Sequence, residues 1–348
     1  MRIGYLHPRR GVAAIWTPSQ DAASFVAATE INAGGGILGE EVELVFADCG
    51  ISADAALDAV DRLLEIEEVD AIIGGHPSSI RDVISHRIDG KVPYIYTPQY
   101  EGLRCGPTTL AIGVTDQELL APALQWFRSE KGADRFFFVG NDYIWPHMAR
   151  STTRRMVARQ GGQLVGEAVL PFVMEDYDAL FRQIRQSGAQ VVVQALLGQS
   201  SVDFNRAFAH SGMAARCLSF GLIVDETVVC AIGPDATENL YTAAAYFASQ
   251  RSRSNDRFLQ LYHDLFGRFA PPVSASSIGA YEGLHLLAGL ARECGTHDGH
   301  ILMQQLGRRT GRSDLRHRLS GKPAGTMRNV FLAEARGTEL EIVATLDA

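Results

Sequence analysis

A chain of 348 residues exceeds the size of a typical single hydrophobic core, which predicts two domains of similar size. Hydrophobic residues make up 46% of the chain and charged residues 21%, a composition that leaves no room for extensive disorder. The formal net charge of -8 argues against direct binding of nucleic acids or anionic membranes, because both need clustered Lys and Arg.

Strand-like and helix-like segments alternate from the first residues onward. Up to residue 96 the pattern predicts strands at 2–6, 41–47, 70–73 and 92–96, and helices at 19–33, 53–66 and 78–88. Farther on it predicts helices at 116–129, 145–160, 177–187, 200–210, 256–269 and 276–293, and strands at 135–139, 163–170, 190–195, 216–220 and 240–246. The chain ends in a predicted antiparallel hairpin of strands 329–335 and 339–346.

This order of elements indicates an α/β fold of two doubly wound parallel-sheet lobes joined by several crossover strands. We predict an N-terminal lobe of residues 1–115 plus 247–325 and a C-terminal lobe of residues 116–246 plus 326–348. Ligands of such sheets bind beyond the carboxyl ends of the strands. We therefore expect a ligand cleft between the lobes, lined by the segments that follow the strands.

Two such segments lie in the predicted N-terminal lobe. Residues 74–79 join a strand to a helix, where Ser78 or Ser79 would cap the helix and free backbone N–H groups can bind a carbonyl or carboxylate oxygen. Residues 96–102 are rich in aromatic and amide groups, and backbone carbonyls held open by Pro98 could accept hydrogen bonds from a ligand NH₂. A plain capped helix and a buried turn with packed tyrosines are the structural alternatives.

Two more segments lie in the predicted C-terminal lobe. In residues 140–146, Tyr143 and Trp145 straddle a helix start that Asp142 could cap. In residues 197–201, small polar residues fill another strand-to-helix turn, and Tyr246 lies at a predicted crossing.

Known catalytic patterns are absent from the sequence, which predicts that the protein is not an enzyme. There is no GxSxG elbow, P-loop or HExxH motif. Cys294, His297 and His300 have metal-like spacing, but glycines interrupt them and we expect no metal and no cofactor there. His76 is interpreted as a hydrogen-bonding wall, since no nucleophile accompanies it.

The cysteines and the N-terminus bear on the compartment. The five cysteines have neither paired spacing nor a CxxC motif, which favours a reducing compartment. The chain enters a strand at once, without an apolar leader, and no window approaches the ~20 apolar residues of a membrane span. We therefore expect a cytoplasmic protein if Met1 is the native start. The alternative is a periplasmic protein whose signal peptide has been removed.

A basic stretch runs from Arg308 to Arg336, against the acidic balance of the rest. It predicts a solvated surface, with a docking surface for an acidic partner as the alternative.

The post-strand segments resemble those of the type I periplasmic-binding-protein superfamily, in the branch of urea- and short-chain-amide-binding proteins and AmiC-type amide sensors. The matching runs are Gly75-His76-Pro77-Ser78-Ser79-Ile80-Arg81, Tyr96-Thr97-Pro98-Gln99-Tyr100-Glu101-Gly102, Asn141-Asp142-Tyr143-Ile144-Trp145-Pro146, Gly198-Gln199-Ser200-Ser201 and Tyr246-Phe247. Their order and spacing match over about residues 2–290.

The resemblance implies a role for several of these residues. Ser78 would bind the ligand carbonyl, segment 96–99 would contact its amide nitrogen, and Tyr143 and Trp145 would close the second lobe over it. The implied ligand-binding residues are His76, Ser78, Ser79, Tyr96, Thr97, Pro98, Gln99, Tyr100, Tyr143, Trp145, Gly198, Gln199, Ser200 and Tyr246.

The sequence also departs from that branch. His76 stands where the sensors carry an aromatic residue, Trp145 stands where they often have Tyr, and residues 7–11 lack the usual Ser/Thr-Gly signature. The identity of the ligand stays open for that reason.

The resulting hypothesis is a cytoplasmic sensor that closes on a small neutral amide-like ligand, urea or a short-chain aliphatic amide, and controls an antiterminator-like protein. The alternative is the solute-binding subunit of an ABC importer, with a permease as partner, for urea, short-chain amides or a related amino-acid-like solute. Homodimer formation is compatible with both. An enzyme on this fold is the third class, which an assay for ammonia release from amides would reveal.

Overall fold

The computed structural model describes residues 1–103, 106, 109–308 and 329–346. The chain divides into two compact units. Unit 1 contains Met1–Pro98, the described part of Leu103–Gly113, and the described residues from Arg251 to Arg308. Unit 2 contains Gln99–Gly102, Val114–Gln250 and residues 329–346. Most of the predicted basic stretch lies outside the described residues.

Unit 1 is built on a five-stranded parallel sheet. Its strands are β1 (Arg2–His7), β2 (Glu43–Asp48), β3 (Ala71–Gly74), β4 (Tyr94–Tyr96) and β5 (Thr109–Ala111). Their spatial order is β2-β1-β3-β4-β5, and every neighbouring pair is parallel. The carboxyl ends of all five strands therefore lie on one edge of the sheet.

Helices cover both faces of this sheet. They are α1 (Thr17–Ala33), α2 (Ala53–Asp61), α3 (Arg81–Ile88) and, numbered by their place in the chain, α9 (Arg253–Phe266), α10 (Ala275–Cys294) and α11 (Gly299–Arg308). Gly283 lets α10 lie close to the sheet, because a Cβ there would be 3.1 Å from Thr97 Cγ2 and 3.2 Å from Ile73 Cγ2. Ile3, Tyr5 and Leu284 are in the core between them.

Unit 2 is built on a seven-stranded mixed sheet. Its strands are β6 (Arg135–Asn141), β7 (Gln163–Leu170), β8 (Val191–Ala195), β9 (Leu218–Gly221), β10 (Leu240–Ala244), β11 (Val330–Arg336) and β12 (Glu339–Leu346). The order is β12-β11-β10-β9-β8-β6-β7. Strands β6 to β10 are parallel, whereas β11 pairs antiparallel with both β10 and β12.

The helices of unit 2 are α4 (Asp116–Lys131), α5 (Ile144–Arg159), α6 (Asp178–Ser187), α7 (Gln199–His210) and α8 (Glu226–Ile232). Alternate residues of β6 pack into two different cores. Phe136 and Phe138 join the core that contains Leu124 of α4, while Phe137 and Val139 join the core with Phe204. This period of two is what a strand buried on both faces requires.

The predicted fold class is confirmed, and so is the terminal hairpin, now seen as β11 and β12. The sequence did not predict β5, α8 and α11, which are 3, 7 and 10 residues long. In the described part of the chain, no helix is long and apolar enough to cross a membrane.

A capping box fixes the start of α4, and we expect its loss to destabilise unit 2. Thr115 Oγ1 accepts from the backbone N–H of Glu118 at 3.4 Å, and the Thr115 N–H donates to Glu118 Oε2 at 2.7 Å. Thr115→Ala should lower the free energy of unfolding by about 1 kcal/mol in urea titrations. Ser151→Ala, at an exposed position inside α5, is the control and should change it by less than about 0.5 kcal/mol. Equal effects of both substitutions would contradict this role of Thr115.

Candidate functional site

The carboxyl ends of β3 and β4 bring together the residues predicted for the first lobe. Strand β3 ends at Gly74 and β4 at Tyr96, and the two are paired in register at these residues. Thr97 continues the pairing, because its backbone N–H and its hydroxyl both donate to the Gly74 carbonyl, at 3.0 and 3.2 Å. His76, Ser78, Tyr96 and Thr97 therefore share one edge of the unit 1 sheet. Pro98 follows, half-buried, as the last residue of its segment in this unit.

His76 is a neutral side chain held in one orientation at this edge. Its Nδ1–H donates to the Pro77 carbonyl at 3.0 Å, so Nε2 accepts from the hydroxyl of Tyr94 at 2.7 Å. The Tyr96 hydroxyl donates to the His76 carbonyl at 3.0 Å. Burial, assisted by the charge of Arg81, lowers the pKa of His76 to about 4. Because both ring nitrogens have protein partners, His76 shapes the site rather than acting as a base.

Ser78 and Ser79 differ in exposure although they are adjacent. Ser78 is buried, and its Oγ has no hydrogen-bond partner among the described residues, whereas Ser79 is exposed. The prediction that one of them caps the helix is wrong. A short 3-10 turn, Ser78–Ile80, intervenes, and neither it nor α3 has a side-chain cap. An unpaired buried hydroxyl costs about 1–3 kcal/mol, so this oxygen is one that a ligand can satisfy.

Three further buried polar groups of unit 1 were missed by the sequence reasoning. His7 Nε2, Trp16 Nε1 and Gln20 Oε1 are buried without a partner among the described residues. A Cβ on Gly75 would lie 2.5 Å from Gln20 Nε2 and 3.0 Å from His7 Cδ2, which places both side chains directly against Gly75. His7 ends β1, so the rule of looking at strand ends could have found it. Gln20 lies inside α1, where its sequence context gives no such signal.

In unit 2, two predicted residues converge on an aspartate that was not predicted. Gln99 Nε2 and Trp145 Nε1 donate to Asp116 Oδ1 at 2.9 and 3.0 Å. Asp116 Oδ2 is buried and has no partner among the described residues. Burial, with a contribution from the charge of Glu101, raises the pKa of Asp116 to about 7. Asp116 therefore changes its charge near neutral pH.

Tyr143 presents an aromatic surface at the end of β6. Its ring lies 6.1 Å from that of Trp145 and 5.6 Å from that of Phe172, measured between ring centroids. The prediction that Asp142 caps α5 is wrong, because Tyr143 precedes the helix and makes no cap bond, while Asp142 pairs with His147 at 2.8 Å. Tyr143 is half-buried.

The segment after β8 is held by hydrogen bonds within the unit. The backbone N–H of Leu197 donates to Asn141 Oδ1 at 2.8 Å, and the Ser200 hydroxyl donates to the Phe172 carbonyl at 2.6 Å. Gly198 has φ of 47° at the start of α7, a conformation that favours glycine. Gln199 is exposed and donates to Asp203 of the same helix at 2.8 Å.

Two other predicted residues occupy separate places. Tyr100 is buried, its backbone N–H donates to the Val114 carbonyl at 3.2 Å, and its carbonyl accepts from the Asp116 N–H at 3.0 Å, so it packs at the start of α4 rather than presents a surface. Tyr246 is half-buried, beyond the end of β10. Two residues farther along the chain, Ala248 donates its N–H to Glu226 Oε1 at 2.6 Å, and burial raises the pKa of Glu226 to about 8.

The cysteine and histidines with metal-like spacing are spread over three places: Cys294 ends α10, His297 lies in the turn that follows, and His300 lies in the first turn of α11. Among the residues that the structure describes, no three His, Cys, Asp or Glu side chains form a group able to hold a metal ion. The described cysteines, Cys49, Cys217, Cys230 and Cys294, are free thiols.

Comparison with known proteins gives one family. Residues 1–337 match the family model described as periplasmic binding protein. A Leu/Ile/Val-binding protein homolog 6 of Brucella melitensis is 26% identical over 162 residues, a match that covers 45% of this chain and 41% of the relative. The match therefore spans less than half of the relative's length.

Solved structures show the same fold. A periplasmic binding protein of Burkholderia mallei has a TM-score of 0.83 at 20% identity, covering 99% of this chain and 94% of the other. A solute-binding protein of an ABC transporter from R. palustris, in complex with 4-hydroxybenzoate, has a TM-score of 0.82 at 19% identity, covering 99% and 96%.

These matches correct the predicted compartment. The family model that matches nearly the whole chain describes periplasmic proteins, so the prediction of a cytoplasmic protein is wrong. Unpaired cysteines and the residues at the N-terminus were misleading signals for the compartment.

The raised pKa of Asp116 makes the stability of unit 2 dependent on pH. The folded state holds the proton up to about pH 7, whereas an unfolded aspartate releases it near pH 3.8, so stability is lost as the pH rises through this window. Asp116→Asn removes this titration. In urea titrations, the free energy of unfolding of the wild type should fall by about 2 kcal/mol relative to that of Asp116→Asn between pH 5 and pH 7, because one pKa unit corresponds to about 1.4 kcal/mol. Asp235→Asn, an exposed substitution in the same unit, controls for the lost carboxylate. If the free energies of unfolding of wild type and Asp116→Asn differed by a constant amount from pH 5 to pH 7, Asp116 would not titrate in this range.

Proposed function

The chain belongs to the periplasmic binding protein family, and we propose that it is the solute-binding subunit of an ABC importer for a small polar organic molecule. The observation that carries the proposal is the buried, unpartnered Oγ of Ser78 at the carboxyl edge of the unit 1 sheet. This is the edge at which parallel α/β sheets bind ligands. The importer role replaces the predicted cytoplasmic sensor and its antiterminator-like partner.

The class of ligand follows from what Ser78 can donate to. Its hydroxyl would donate to a carbonyl or carboxylate oxygen, a group shared by three kinds of solute. The sequence resemblance implies urea or a short-chain amide, the Brucella relative is named for branched-chain amino acids, and the R. palustris structure holds 4-hydroxybenzoate. All three carry an acceptor oxygen. We propose that this oxygen is the part of the solute that Ser78 binds.

The remaining predicted residues of unit 1 supply the rigid surroundings of Ser78. His76 and Tyr96 are tied to each other and to the strand ends by hydrogen bonds, and Thr97 is tied to Gly74. Side chains held in this way keep one geometry, which reduces the entropy lost when a ligand binds. We propose that they orient the ligand rather than contribute most of its binding energy.

In unit 2, we propose that Tyr143 and the pair of Trp145 and Asp116 also contribute to ligand binding. Tyr143 offers a half-buried ring supported by Phe172, a surface suited to a flat amide or an aromatic ring. Trp145 is fixed by its bond to Asp116, which makes it a support for Tyr143.

Adjacent serines allow a direct test of the Ser78 assignment. A thermal-shift panel of urea, acetamide, leucine and 4-hydroxybenzoate first identifies which compound binds, and calorimetry then gives its Kd. Ser78→Ala should raise that Kd about tenfold or more, since a lost hydrogen bond of about 1.4 kcal/mol corresponds to a factor of ten. Ser79→Ala removes the same group from an exposed position and should leave the Kd unchanged.

Two results would contradict the proposed function. One is the absence of binding by every compound of the panel. The other is binding with equal loss of affinity in Ser78→Ala and Ser79→Ala, which would remove the special role of the buried serine.

A further inference from the structure

The side-chain amide of Gln20 is oriented so that its oxygen has no partner. Its Nε2 donates to the Gly75 carbonyl at 3.3 Å and to Ser276 Oγ at 2.8 Å. A backbone carbonyl can only accept, so the nitrogen must face Gly75 and the oxygen must point elsewhere. That oxygen, Oε1, is buried and without a partner among the described residues. Gln20 therefore presents a buried acceptor.

His7 presents a second acceptor for the same kind of reason. Its Nδ1 lies 3.0 Å from Asp21 Oδ1, and Asp21 also pairs with Arg9 at 2.5 Å. A carboxylate bound to an arginine is ionised and can only accept, so the proton of His7 sits on Nδ1. Burial lowers the pKa of His7, which keeps the ring neutral at pH 7 and leaves a lone pair on Nε2. Nε2 is buried and has no partner in the described part of the chain.

The two acceptors belong to one place in unit 1. Gly75 lies against both side chains, and it belongs to the segment between β3 and α3 that also contains Ser78. Any Cβ at position 75 would collide with Gln20 and crowd His7, so the glycine is what lets these two side chains approach the turn. Neither His7 Nε2 nor Gln20 Oε1 has a donor among the described residues, so a bound solute would have to supply one.

We propose that His7 and Gln20 form an acceptor subsite that selects solutes carrying an N–H or O–H donor in addition to the oxygen bound by Ser78. The inference rests on the proposed function and names the class of solute. A primary amide or a phenol has such a donor. Benzoate and methyl acetate have none and would leave both acceptors unpaired.

A site that hydrogen-bonds its solute rejects an analogue that lacks the donor, because the buried groups of the protein then lose their partner. We expect a penalty of about tenfold in Kd for each acceptor left unpaired.

Matched pairs of compounds test the subsite with the wild-type protein alone. Calorimetry compares 4-hydroxybenzoate with benzoate and acetamide with methyl acetate, which differ in the donor. In at least one pair the donor-bearing compound should bind about tenfold more tightly than its partner, and that pair identifies a phenol or an amide as the source of the donor.

A variant then assigns the preference to His7. His7→Phe keeps a ring but removes the acceptor, so the preference within the pair should fall to about threefold or less. His86→Phe, at an exposed position of α3, should keep it. If His7→Phe does not fold, as judged by its thermal melt, the wild-type pairs alone decide.

Three outcomes would overturn the inference, and they separate it from the proposed function. Equal binding within both pairs overturns the acceptor subsite while leaving the function in place if Ser78→Ala weakens binding. A donor preference that survives in folded His7→Phe overturns the assignment to His7. Failure of every compound to bind overturns the proposed function and the subsite with it.

Discussion

The parallel pairing of β1, β3 and β4 is the constraint on which the candidate site depends. Because β3 pairs with β1 on one side and β4 on the other, residues far apart in the chain end at one edge. His7, Gly75 and Thr97 meet there for that reason alone. A change of register by one residue would turn every following side chain to the other face of the sheet and separate them.

Buried polar atoms distinguish this edge from ordinary packing. Most buried polar groups in folded proteins have a partner, so a cluster of unpaired ones needs a reason. Ser78, His7 and Gln20 each have one such atom within the turn of Gly75 or against it. Each atom costs stability when unpaired, and a solute that satisfies them gains the same free energy on binding. The cost in the free protein is thus the source of affinity and of discrimination between solutes.

The sequence predicted the fold well because its signals are local and repeated. Alternating strand and helix periods fix the doubly wound class, and the turn between residues 335 and 339 fixes the terminal hairpin. Ser78 was also singled out from the sequence, since a polar residue soon after a buried strand is visible there, and its role as a site residue stays a prediction. Its predicted capping role failed because the 3-10 turn that begins after Pro77 depends on packing rather than on residue type.

The remainder of the site depends on tertiary contacts that a single sequence does not encode. Gln20 has the appearance of a surface residue of an amphipathic helix, and only its position against Gly75 buries it. Asp116 has the appearance of an ordinary acid in the first turn of α4, and only Gln99 and Trp145 show that it is enclosed. Conversely, Gln199 belongs to one of the runs that resemble the amide-binding branch, but its side chain donates to Asp203 of the same helix.

A crystal structure of the protein with the tightest-binding compound of the panel tests the central claim most directly. The account requires an oxygen of the solute within about 3.2 Å of Ser78 Oγ, and a donor of the solute within the same distance of His7 Nε2 or Gln20 Oε1. A solute bound elsewhere, with Ser78 Oγ bonded only to water or to the protein, would contradict it.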